Sequence, residues 1–131
     1  MSVLATTEFG SLNEAVEHAL DKPWTAGSLG TGADTLEVAE MVQHINTIAD
    51  GGSAANITTP IGSAIWAALK DPKVGDTFEF MINNLDAGDA KTLVAGASGV
   101  TVMGGAAVAA VTSAKFLCYL SAANTVLIYR V

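Results

Sequence analysis

Apolar positions along the chain change their period near Val74. Ahead of it they recur at helical spacing. Leu12, Ala15, Val16, Ala19 and Leu20 fall on one stripe behind Ser11-Leu12-Asn13-Glu14, which has the form of a capping box. This predicts a short helix from Leu12 to Leu20, stopped by Pro23. Residues 23–34, with one Pro and three Gly, read as a loop or extended linker. A second helix is predicted over Thr35–Met41, because Val38, Met41, Val42 and Ile45 share a face and Glu37 and Glu40 sit where the helix dipole favours acids. The run from Val42 to Ala49 is β-branched enough to be a strand instead. Asn56–Thr59 predicts a short strand ended by Pro60. Ile61–Leu69 predicts a third helix, broken by Asp71-Pro72.

Beyond Val74 the period is two. Phe78, Phe80 and Ile82 share one face of a strand over Asp76–Asn83, with Thr77, Glu79 and Met81 on the other. Short strands follow at Thr92–Val94, Val100–Met103 and Ala106–Val111, divided by Gly turns. Ser113–Leu120 and Thr125–Val131 then alternate with apolar residues on both faces. Several short strands with Gly turns imply a mainly β fold, a small antiparallel sandwich or barrel, jelly-roll-like, with short helices and an N-terminal arm. The expected division is an acidic arm over 1–34 and a β-rich body over 35–131. One rival exists: Thr92–Ala114 carries no charge and is long enough to span a bilayer. Four glycines interrupt it and no aromatic marks its ends, so strand-length pieces explain it better.

Charge sharpens this division. Of 131 residues, 13 are acidic and 6 basic, a net charge of −7. Residues 1–50 hold eight acids against Lys22 alone, and the remainder is neutral. An acid-rich chain without clustered Lys and Arg is not expected to bind nucleic acid. The acidic region reads first as a solvated face and second as an arm that docks on a basic partner. Cys118 is the only cysteine, which excludes an intrachain disulfide. Met1–Gly10 shows no basic or apolar signal region, and synthesis in a reducing cytoplasm is expected.

Candidate chemistry is sparse. His18 and His44 have no metal-ligand spacing. Gly27–Gly32 lacks both the dinucleotide spacing and the Lys-Ser/Thr of a phosphate loop. Ser98 is not in a nucleophile elbow. Asp86 and Asp89 share one loop but do not make an EF-hand. Cys118 alternates with Phe116 and Leu120, as a buried thiol would. Asn56-Ile57-Thr58 matches a glycosylation sequon, which means nothing without secretion. Trp24, Trp66, Tyr119 and Tyr129 are too scattered for a sugar-binding platform. No catalytic, cofactor or metal site is expected, and the protein is not expected to be an enzyme.

A longer pattern remains. Asn56-Ile57-Thr58-Thr59-Pro60 leads into an Ala-rich helix. After it come Val74-Gly75-Asp76-Thr77-Phe78-Glu79-Phe80, the Gly-rich run Ala97–Gly105, Thr112–Phe116 and the ending Val126-Leu127-Ile128-Tyr129-Arg130-Val131. This order, over about residues 35–131, resembles the capsid cement or decoration proteins of tailed bacteriophages. The resemblance implies a non-enzymatic virion protein, made in the host cytoplasm. It implies a homotrimer bound through the major capsid protein to the outside of an icosahedral head, with no nucleic acid or membrane as partner. A tail-fibre or spike protein and a small membrane-anchored phage protein are the alternatives. Candidate self-association residues are Phe116, Leu117, Tyr119, Leu127, Tyr129 and Val131. Candidate shell-contact residues, on the helical stripe of the arm and just before it, are Phe9, Leu12, Val16 and Leu20.

Overall fold

The structure is a computed structural model that describes residues 23–31, 34–96 and 98–131. These form ten strands: β1 (Thr25–Ser28), β2 (Asp34–Thr35), β3 (His44–Ile48), β4 (Ala55–Thr58), β5 (Thr77–Asn84), β6 (Lys91–Val94), β7 (Val100–Met103), β8 (Ala107–Val108), β9 (Thr112–Ala122) and β10 (Thr125–Arg130). One α-helix, α1 (Gly62–Ala68), and a single 3₁₀ turn at Val38–Glu40 complete the described elements. The predicted helix Leu12–Leu20 lies outside the described residues.

The fold is mainly β, as expected, and its strands make two sheets. The larger has the order β1-β3-β5-β9-β10-β7 and the smaller β2-β4-β6-β8. The expected antiparallel pairing is corrected: β1–β3, β3–β5, β2–β4, β4–β6 and β10–β7 are parallel. The reason is the route of the chain. From β1 to β7 successive strands alternate between the two sheets, and each strand that returns to its sheet after passing through the other runs in its original direction. Only β9 passes directly to its neighbour β10, through a tight turn in which Asn124 takes φ +57°. The pairs β1–β2, β3–β4 and β5–β6 are therefore three stacked turns of a coil, closed on one side by the antiparallel strands β9 and β8.

Two other expectations are corrected. Part of the stretch read as linker is β1, outermost of the described strands of its sheet and held to β3 through backbone pairing, as where Thr25 N donates to Gln43 O at 3.0 Å. The helix predicted over Thr35–Met41 is instead the end of β2 and one 3₁₀ turn. Leu36 N donates to Thr58 O (2.8 Å), and Gln43 at φ +50° turns the chain into β3. The strand alternative for Val42–Ala49 is the one realised. Thr92–Ala114 is divided among β6, β7, β8 and the start of β9. Among the described residues no helix is long and apolar enough to cross a membrane.

One core takes residues from both sheets. Phe80, Ile82, Phe116, Cys118, Leu120, Val126 and Ile128 come from the large sheet, and Ile57, Leu93 and Val108 from the small one. Phe80 and Phe116 stack at its centre, with ring centroids 5.4 Å apart. Ile65 of α1 is buried with them, and Trp66 Nε1 donates to Thr125 O at 3.2 Å, fastening the helix to β10. The helix begins very close to the β7 and β9–β10 turns. A β-carbon on Gly62 would lie 2.7 Å from Gly99 O and collide with Asn124 O, so only glycine fits there.

Candidate interaction surface

Alternation in β9 and β10 sends one set of side chains inward and the other outward. Ala114, Phe116, Cys118 and Leu120 are buried, as are Val126 and Ile128. The opposite face carries Leu117 and Tyr119 from β9 beside Leu127 and Tyr129 from β10. Leu127 lies across from Tyr119, and Tyr129 from Leu117. All four are half-buried. Such direct cross-strand neighbours are within reach of each other on one face. Met103 of β7 lies beside Tyr129 and is 41% exposed; Val131, just past β10, is 61% exposed. An apolar patch thus runs across three strands. At its margin, Lys115 Nζ lies 3.8 Å from Glu79 Oε1, an exposed ion pair of small energetic weight.

Five of the six residues picked from sequence for self-association share this face. Phe116 does not: it is fully buried on the inner face, stacked on Phe80, and offers nothing to a partner. Alternation divides a strand into two faces without saying which one the core takes. Met103 was missed, because only its pairing with Tyr129 brings it to the patch. Phe9, Leu12, Val16 and Leu20 lie outside the described residues.

The remaining candidates are dispersed. His44 Nδ1 lies 2.6 Å from Thr25 Oγ1, at the β1–β3 pairing. Ser98 is exposed in the turn before β7. Cys118 is buried, and desolvation pushes its thiol well above the ordinary range. Among the described residues no three His, Cys, Asp or Glu side chains group as metal ligands would. A cleft of about 680 Å³ is lined by Val42, Leu69, Pro72, Asp76, Phe78 and Leu120. The Asp76 carboxylate is engaged by Lys73 N at 2.9 Å.

A feature without a sequence signal sits where the coil turns stack. Lys91 opens β6 and is completely buried. Its ammonium donates to Thr31 O (3.2 Å), Ser53 O (2.5 Å) and Asp86 Oδ2 (3.1 Å). Those acceptors lie on the β1–β2, β3–β4 and β5–β6 connections, one on each turn of the coil. Asp86 Oδ1 accepts from Gly88 N (2.9 Å) and Asp89 N (3.3 Å). The Gly88 amide first, and Lys91 next, hold the Asp86 carboxyl below its usual pKa despite its burial. Asn84 completes the set: Nδ2 donates to Asp89 O (2.9 Å) and Val108 O (3.1 Å), and Oδ1 accepts from Asp86 N. Every polar group here is spoken for within the fold, which makes it a fastening between turns.

Comparison of the chain with family models, with curated proteins and with solved structures found no match.

Proposed function

We propose that this protein is a structural component of a tailed-bacteriophage virion, a cement or decoration protein that binds the outside of the head as a homotrimer and steadies it. The observation that supports this reading best is the apolar patch of Leu117, Tyr119, Leu127, Tyr129 and Met103, aligned across β9, β10 and β7 on the face away from the core. An apolar sheet face needs covering by another surface, and a protein that assembles supplies one. The residue order from Asn56 to Val131 supplies the class, through its likeness to head decoration proteins. With this goes a finer reading of the fold, in which the two sheets are the halves of a small sandwich around the shared core. The major capsid protein is the partner on the shell.

Purified protein mixed with heads that lack it should bind at saturating, repeating positions on the outer surface, seen by electron microscopy. Density at the tail or baseplate, with bare heads, would sink the reading in favour of a fibre or spike component. A requirement for detergent during purification would favour the membrane-anchored alternative.

A further inference from the structure

The two sheets treat their edges differently. The small sheet ends in strands of two residues each. One carries Asp34, and in the other the Ala107 carbonyl is taken by the Arg130 guanidinium. Short strands and charge are ordinary ways of blunting an edge against pairing. The large sheet has neither defence. Its outermost described strands, β1 (Thr-Ala-Gly-Ser) and β7 (Val-Thr-Val-Met), are four residues each and contain no charge and no proline.

Their directions match. β1, β3, β5, β10 and β7 all run the same way, with β9 alone reversed. Parallel pairing is already what β1 makes with β3 and β7 with β10. The outward donors of β1 can be identified. Thr25 N donates to Gln43 O and Leu29 N to Thr47 O, so the alternate amides of Ala26 and Ser28 turn away from β3. All four residues of β1 are exposed.

We propose that copies of this chain join edge to edge, β7 of one protomer pairing in parallel with β1 of the next. The contact is heterologous, so it closes into a ring when the rotation between copies permits. With Val100–Met103 laid along Thr25–Ser28, Thr101 meets the neighbour's Ala26, and the outer face continues across the join from Leu127, Tyr129 and Met103 toward that copy's Ile45 and Met81. The inference rests on the homo-oligomer part of the reading above and not on binding to heads.

The first test is Ala26→Pro in the full chain. It removes an outward amide and no bond to β3, and proline is tolerated at such an edge position. Sedimentation should show wild type as an oligomer at micromolar concentration and the variant as a monomer with an unchanged circular dichroism spectrum. Association of a folded Ala26→Pro at wild-type strength would overturn the proposal, as would a monomeric wild type. Should the proline variant misfold, Ala26→Cys combined with Thr101→Cys decides, the two positions facing each other when Val100–Met103 lies along Thr25–Ser28. Both positions are exposed on the outer face, and oxidation should give interchain disulfides that neither single variant gives. Absence of that cross-link also overturns it. A wild-type monomer that still decorates heads would refute edge pairing alone; an oligomer that ignores heads would refute the head reading alone.

Discussion

Replacing Lys91 by Met tests whether one ammonium fastens the three coil turns. The substitution keeps the apolar stem and removes the charge. Asp86 would retain its bonds from Gly88 and Asp89 but lose its ion partner, and the carbonyls of Thr31 and Ser53 would each lose a donor in a site that is completely buried at Lys91. Removing one member of a buried ion pair costs about 3–5 kcal/mol, because the other charge stays desolvated. For a chain of this size the unfolding entropy is roughly 0.28 kcal/mol per degree, so the melting temperature should fall by about 11–18 °C. Thermal unfolding followed by circular dichroism measures this, and urea titration with an unchanged slope would locate the loss in the folded state. Pairing Lys91→Met with Asp86→Leu should recover part of the loss, since an apolar pair no longer strands a charge. A single variant that melts within about 3 °C of wild type, roughly 1 kcal/mol by the same conversion, would refute the fastening.

Acid should weaken the same site. Asp86 has a lowered folded-state pKa, so its contribution is fully present above the unfolded value near 3.8 and is lost as pH falls through the folded one. The stability gap between wild type and Asp86→Asn, read by urea unfolding, should therefore be widest near neutrality and shrink below about pH 4. Phe116→Ala, which empties half of the central ring stack, should cost about 3–5 kcal/mol. On the opposite face, Tyr119→Lys and Leu127→Lys should weaken self-association in sedimentation while changing monomer stability by only about 0.5 kcal/mol. Cys118 should resist a thiol reagent in the native protein and react once urea unfolds it, as its burial and raised pKa require.

Strands whose inner face meets the core were legible in the sequence. β5, β9 and β10 alternate because Phe80, Phe116 and Ile128 point into it. β1 was not legible: Thr-Ala-Gly-Ser has no apolar alternation, all four residues are exposed, and the strand exists through its pairing with β3. The stretch around Val38 and Met41 misled because its spacing serves a 3₁₀ turn followed by a strand as well as a helix. Strand direction was hidden for a different reason. It depends on which sheet each strand joins, and no local pattern encodes that choice. Of the patch, Leu117, Tyr119, Leu127, Tyr129 and Val131 were visible as the second apolar set on two strands, while Met103 needed the β7–β10 pairing. Lys91 had no signal, since a lysine ahead of a short strand looks like any solvated lysine.

The alternation of strands between sheets bears on how the chain is made in the cell. Among the described strands only β9 and β10 form a hairpin of local contacts; every parallel pair joins residues far apart, as Thr47 with Asn83. Distant pairing has to close long loops before it is rewarded, which makes folding slow. β5 sits between β3 and β9, so the sheet has its central support only after the C-terminal hairpin exists. A ribosome delivers that hairpin after all three turns of the coil. Until it emerges, one edge of β5 has no partner, and the negative charge of residues 1–50 opposes association of such incomplete chains by like-charge repulsion.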